Sequence, residues 1–329
     1  MSIVLSHRTG WLVWHAPDRP RVLEPLPVER SALTSTYPAV CELDRVRLVL
    51  RRLGIPVSEL GHIDVLVSAA GLRSSSPAVS SHVCTLSLPP HALRKLAPGI
   101  FVVCPELSFI QMAHAGADWR ELVEYGFELC GGYEMPIETG AAYRERLALT
   151  SIDRIRSFLK AMPGVHGARA ARSALCSVRD GARSPMETAD IMMLVLPKRR
   201  GGLGLYGLQV NYRISIPNHL RSLTTRGSVV CDCCVPRFML DEEYNGFYHD
   251  DPLRKVADEE RRCVLEAMGY RVRVLTKEAF FNRNAYRRHV LSIMSLAGID
   301  GEQLDADFWR KHEELRCFVL RRWLHDDTD

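Results

Sequence analysis

A chain of 329 residues with 47% hydrophobic and 25% charged side chains has ordinary globular composition and length enough for two domains. No apolar run approaches the ~18 residues of a spanning helix, and the first residues lack a signal peptide's basic-then-apolar layout. A membrane role is therefore not expected, and a cytoplasmic location is. The net charge of +4 permits nucleic acid as a partner without arguing for it; among 43 basic residues only six are Lys, a skew toward Arg that reads equally as phosphate-forking side chains or as genomic base composition.

The ten cysteines are scattered or lie inside apolar stretches, as reduced thiols do, rather than forming a disulfide frame. Residues 1–60 carry loop prolines at 17, 20, 25, 27 and 38. A short basic helix is expected over 43–53, whose Arg45, Arg47, Arg51 and Arg52 read as a solvated face or as phosphate contacts. Strands are expected at 63–68, 79–86 and 99–104, then helices at 105–113, with Pro105 in the first turn, and at 119–130, closed by Gly131-Gly132. His62, His82, His91 and His114 are too dispersed to read as metal ligands. Residues 134–150 read as a linker into a helix over 151–162.

An Ala/Arg-rich helix over 168–178 breaks at Asp180-Gly181. Ser184-Pro185-Met186-Glu187 then has the form of a capping box, with Ser at the N-cap, Pro at the first helical position and Glu at the third. The helix it opens ends at Lys198-Arg199-Arg200. The next seven residues contain Gly-x-Gly-x-x-Gly at 202–207. A dinucleotide fingerprint needs that motif after a strand and opening a helix, whereas here it follows a helix and precedes a strand at 208–215. A flexible loop is expected instead.

Residues 228–246 read as a hairpin, two mostly apolar strands about a Pro236-Arg237-Phe238 turn. If it folds symmetrically about that turn, Asp232 faces Glu243, with Cβ atoms roughly 5 Å apart. Period-two alternation then puts Asp241 and Asn245 on the same face, and Cys231, Cys233 and Tyr244 on the other. Carboxylates this close repel unless neutralised, and one Mg²⁺ held by both would neutralise them; acids on a solvated edge hairpin are the alternative. Cys231, Cys233 and Cys234 invite a zinc site with Cys263 or His249. The Cys-x-Cys-Cys spacing argues against it, as does alternation, which aims Cys231 and Cys233 away from Cys234. A helix over 255–268, a strand over 271–276 and helices over 284–297 and 307–325 complete the chain. The expected class is α/β: a mixed α/β domain over 1–150, and over 151–329 a helix, three strands, a helix and a strand (αβββαβ) forming a mixed sheet.

That element order resembles the PD-(D/E)XK nuclease superfamily, and within it domains similar to the very-short-patch-repair endonuclease. The likeness runs over roughly residues 165–295. It is carried by Ser184-Pro-Met-Glu187, Asp232, Glu243-Tyr-Asn-Gly246, Tyr248-His249, Asp258-Glu-Glu-Arg261-Arg262 and residues 265–276. It implies a restriction-endonuclease-like fold and Mg²⁺-dependent hydrolysis of phosphodiester bonds in DNA. Asp232 and Glu243 would be metal ligands and Glu187 the acid from the first helix. His249 would lie near the active face, and Asp258 and Arg261 would pair on the following helix. Arg261, Arg262 and Lys255 read as nucleic-acid contacts, although Asp258, Arg261 and Arg262 also have the spacing of ordinary helix ion pairs. Two places after the second acid, where the superfamily carries Lys and this subfamily is expected to carry Asp, stands Asn245. An amide orients a water but cannot take its proton. Either His249 or Lys255 substitutes, or the site is degenerate and only binds. Residues 60–135, notably 99–113, are similar to the C-terminal region of abortive-infection antitoxins of type IV toxin–antitoxin systems. That likeness implies a defence setting and a cognate toxin protein as partner. The family's winged helix-turn-helix is not evident in residues 1–60.

Overall fold

The computed structural model describes residues 2–20, 23–26, 40–59, 61–73, 76–137, 142–246, 252–301 and 304–324. It divides into two compact units, Met1–Val178 and Arg179–Asp329. Among the described residues no helix is long and apolar enough to cross a membrane.

The first unit is built on a six-stranded mixed sheet in the order β2-β5-β6-β1-β3-β4. Its strands are β1 (Ile3–Leu5), β2 (Pro25–Leu26), β3 (Ile63–Val67), β4 (Val79–Val83), β5 (Leu93–Ala97) and β6 (Ile100–Val103). β1 runs parallel to β6 and β3 parallel to β4, while the remaining neighbours are antiparallel. Every residue of β1 is buried, with Ile3 and Leu5 in one apolar cluster and Val4 in another, as period two demands of a strand covered on both faces. Around it lie α1 (His7–Trp14), α2 (Val40–Arg52), α3 (Pro105–His114), α4 (Trp119–Cys130), α5 (Ile152–Ala161) and α6 (Ala168–Leu175). The expected linker instead forms a small ribbon, β7 (Tyr133–Glu134) with β8 (Arg144–Glu145), and the amides of Leu149 and Thr150 donate to the Leu129 carbonyl. α5 and α6 pack on α3, and α6 also on α4, so this unit extends to residue 178, past the expected boundary at 150. Gly167 makes the α6 approach feasible: its φ is +86°, and a Cβ there would stand 2.4 Å from the Ile110 carbonyl oxygen.

The second unit has the expected αβββαβ order: α7 (Pro185–Val195), β9 (Gln209–Ser215), β10 (Ser228–Val235), β11 (Leu240–Asn245), α8 (Pro252–Ala267) and β12 (Arg271–Thr276). Three further helices follow, α9 (Lys277–Phe281), α10 (Arg283–Leu296) and α11 (Ala306–Leu320), of which the five-residue α9 was not expected. The sheet is mixed, in the order β12-β11-β10-β9. β9, β10 and β11 meander antiparallel, and α8 carries the chain over to β12, parallel to β11. The glycine-rich stretch is packed rather than flexible. Leu203 and Leu205 donate backbone hydrogen bonds to Met193 and Leu194 of α7. Gly201 (φ +88°) lies so close to α11 that a Cβ would stand 2.4 Å from the Lys311 carbonyl oxygen.

Candidate acidic site

The site is set by the β10–β11 register. Cys233 pairs with Glu242, Cys234 with Asp241 and Val235 with Leu240, the symmetric hairpin expected from the sequence. The pairing ends at Cys233 and Glu242, so that the next residue of each strand, Asp232 and Glu243, flanks its last pair. From α8, Arg261 reaches both: one guanidinium nitrogen is 3.4 Å from Asp232 Oδ1 and another 2.9 Å from Glu243 Oε1. Arg261 also donates to the Val230 carbonyl at 3.1 Å and lies 4.0 Å from Asp258. Glu243 and Arg261 are 15% and 17% exposed, while Asp232 is 40% exposed. The charge expected of a metal ion is thus supplied by an arginine.

The balance of charge remains negative. Asp241 is fully buried, and neither of its oxygens accepts a well-formed hydrogen bond, the Cys231 thiol being its polar neighbour. Burial, with Glu243 and Asp232 nearby, pushes its pKa up to about 8. Glu243 is raised by burial and by Asp232, with Arg261 pulling it back. Burial opposes the charge on Arg261, but Glu243, Asp232, Asp241 and Asp258 together raise its pKa above the ordinary value.

Glu187 joins this group from α7. Its amide donates to Ser184 Oγ at 3.1 Å, and its Oε2 accepts from the Arg183 amide at 2.9 Å, so the capping box forms. Burial, with Asp232 nearby, pushes its pKa up to about 7. Asp232 therefore interacts with Glu187 as well as with Glu243. Asn245 ends β11 and is exposed. Arg262 points outward and pairs with Glu259 at 2.5 Å. Lys255 falls on α8 with its side chain outside the described residues, and His249 lies outside them altogether.

Whether a divalent cation fits can be judged from these groups. In kind the donors suit a hard cation, being carboxylate oxygens, of which Asp241 Oδ1 and Oδ2 and Glu243 Oε1 are buried without a well-formed hydrogen bond. In place, Arg261 fills the gap. Among the described residues no three His, Cys, Asp or Glu side chains are arranged to hold an ion as they stand. A cation here has to displace the guanidinium.

Compared with family models, curated proteins and solved structures, the chain finds no match.

Three features were not anticipated. Alternation along β10 slips at Asp232: Cys231 and Cys234, three residues apart, both pack against Val264 and Leu265 of α8, whereas Cys233 lies toward Asp190 and Glu187. The slip sits across from Asn211 of β9, whose φ is +52° and whose amide donates to the Gly181 carbonyl. The expectation that Cys231 and Cys234 diverge is thereby corrected; they hydrogen-bond, which together with burial raises the Cys231 pKa. All ten cysteines are free thiols.

The second feature is a buried polar group among α7, β11 and α10. Glu242 is fully buried with Oε1 2.5 Å from His289 Nε2, and Asp190 is 1% exposed with neither oxygen hydrogen-bonded. Burial raises the pKa of both acids well above the ordinary range, with Glu242 adding to the rise of Asp190 and Asp241 to that of Glu242. An acid in the middle of an apolar helix and another in a strand were the available signals.

The third lies in the first unit, where two of the dispersed histidines, His62 and His82, meet at Asp64. Asp64 Oδ1 is 2.7 Å from His82 Nε2 and 3.5 Å from His62 Nε2, while Oδ2 accepts from the Thr9 amide and hydroxyl. His7, at φ +46° as the first residue of α1, stacks on His82 with ring centroids 3.4 Å apart. Burial, with His82 nearby, pulls the His7 pKa down to about 3. No spacing in the sequence announces this meeting, because β1, β3 and β4 bring it together.

Proposed function

We propose that the second unit is a Mg²⁺-dependent, DNA-directed phosphodiester hydrolase of endonuclease type. The observation carrying the reading is the meeting of Asp232 of β10 and Glu243 of β11 at one guanidinium, that of Arg261, inside an αβββαβ unit. Asp232 and Glu243 would hold the ion, with Asp241 behind them. When bound, the chemistry such an ion supplies is polarisation of phosphate oxygens and a lowered pKa for the attacking water. Glu187, with a pKa near 7, is suited to hold or release a proton at Oε1, the oxygen not engaged by Arg183. Arg261 serves as counter-charge while no cation is bound. The likeness of residues 60–135 to abortive-infection antitoxins supports a defence setting with a cognate toxin as partner of the first unit.

The test is cleavage of supercoiled and mismatched DNA in Mg²⁺ by the wild type and by Asp232→Ala. Cleavage by the wild type alone is expected, and absence of wild-type cleavage in every divalent metal would remove the hydrolase reading.

A second reading is favoured by the Arg261 contacts and by Asn245. An arginine satisfying both acids, with an amide where a proton acceptor is expected, suits a catalytically degenerate domain that regulates by binding DNA. Salt-sensitive, metal-independent DNA binding without turnover is the outcome that selects it.

A further inference from the structure

An open groove of about 420 Å³ lies between α10 and α11, far larger than a single water and in the range that takes a small ligand. Its walls include Arg283 and Arg287, four apart on one face of α10, and Trp309 and Arg310 of α11. The Arg287 guanidinium lies over the Trp309 indole, 4.3 Å from the ring centroid. Phe308 and His312 meet the indole edge-on at 5.2 and 5.7 Å, and both are buried, so the ring is fixed from behind.

The acids around the groove are already engaged. Glu313 receives two hydrogen bonds from Arg316, at 2.7 and 3.0 Å. Glu314 is 2.5 Å from Arg310, and Asp307 is shared by Arg310 and Lys311 at 2.6 and 2.5 Å. Arg283 is left with a loose 3.9 Å contact to Glu313. Among the described residues no carboxylate pairs with Arg287. An exposed arginine without a carboxylate, stacked on a half-buried tryptophan at the wall of an open groove, contributes little to folding. It does form a rigid, flat, cationic platform, which suits a π-face carrying a negative charge at its side.

We propose that this groove binds one unstacked nucleotide of a single-stranded nucleic acid, the base against the Trp309–Arg287 stack and its phosphate at Arg283. Duplex bases expose no π-face, so a single strand is the matching occupant. The inference rests on the reading that this unit handles nucleic acid, but uses none of the acidic-site residues.

The experiment is fluorescence anisotropy of the full chain with labelled dT12, rU12 and a 12-base-pair duplex, in EDTA, over a salt series. The wild type should bind a single strand. Arg287→Ala and Trp309→Ala should each weaken it by roughly tenfold, as loss of one stacked base does, and Arg283→Ala should reduce the slope of log affinity against log salt by about 0.7. Binding of dT12 alone, rU12 alone or both assigns the sugar and supports the site. Arg287 is exposed, so its variant folds whether or not the tryptophan variant does. Unchanged single-strand affinity in Arg287→Ala, or an unchanged salt slope in Arg283→Ala, would overturn the proposal, as would no single-strand binding by the wild type. Loss of binding in the groove variants without Mg²⁺-dependent cleavage by the wild type would overturn the hydrolase reading and leave this one standing.

Discussion

Replacing Arg261 by Met separates its charge from its bulk. The Glu243–Arg261 pair is 15% and 17% exposed at 2.9 Å, so removing the cation strands a largely buried carboxylate. Breaking such a pair costs about 3 kcal/mol. Asp232, at 40% exposed, is screened by water and adds less than ~1 kcal/mol. The penalty depends on pH in a definite direction. Without the guanidinium, the folded-state pKa of Glu243 climbs further above its unfolded value. A carboxyl raised on folding stabilises the native state while protonated, and that stability is lost as pH rises through the folded pKa. The variant should therefore lose about 3 kcal/mol at pH 8 and markedly less at pH 5. In urea, with a slope of about 2 kcal/mol per molar, the midpoint should fall by roughly 1.5 M at pH 8. Millimolar Mg²⁺ should recover part of that shift in the variant by binding the folded form only. A loss equal at both pH values, or greater at pH 5, would refute the electrostatic argument. No recovery with Mg²⁺ would refute the metal site while leaving the ion pair intact.

Wild-type stability should decline between about pH 4.5 and 8, because Glu187 and Asp241 keep protons in the fold that they release on unfolding, at pKa values of about 7 and 8. The double variant Glu187→Gln/Asp241→Asn should flatten that profile in thermal melts. Asp64 behaves oppositely: although burial raises its pKa, hydrogen bonds from His82 and Thr9 bring it below the ordinary value. Its contribution is present above about pH 4 and lost below it. Asp64→Ala should thus lower neutral-pH stability by about 3 kcal/mol and blunt acid unfolding of the first unit, as followed by circular dichroism. Gly167→Ala should destabilise that unit by more than ~1 kcal/mol, since the left-handed backbone and the nearby Ile110 carbonyl both reject a Cβ. Unchanged melting of this variant would contradict the α3–α6 packing.

The second unit was the more legible, for local reasons. A turn between two apolar runs fixes the hairpin register, and Ser184 with Glu187 marks a helix start through contacts three residues apart. What escaped depends on distance or on a single residue's backbone. Arg261 lies one helix away from the acids it neutralises, and only the reach of a long side chain joins them. The slip at Asp232 overturns strict alternation and turns Cys231 toward Cys234, which no propensity signals. The Asp64 cluster needs three strands in their sheet order before its histidines meet. The glycines at 201 and 202 suggested mobility because glycine is permissive, whereas here its small size lets the α7–β9 connection pack against α7 and α11.

The parallel pairing of β11 with β12 bears on how this protein is made. β11 finds its first partner, β10, across a tight hairpin, but its second arrives only after the whole of α8 has been synthesised. At a synthesis rate of roughly 5–20 residues per second, a ribosome-bound chain holds that strand with one side unpaired for seconds. During that interval Asp241 and Glu243 lack the covering helix and remain hydrated and ionised. Charged side chains on a bare strand discourage it from joining a neighbouring nascent chain, so the same acids that strain the finished fold protect the unfinished one.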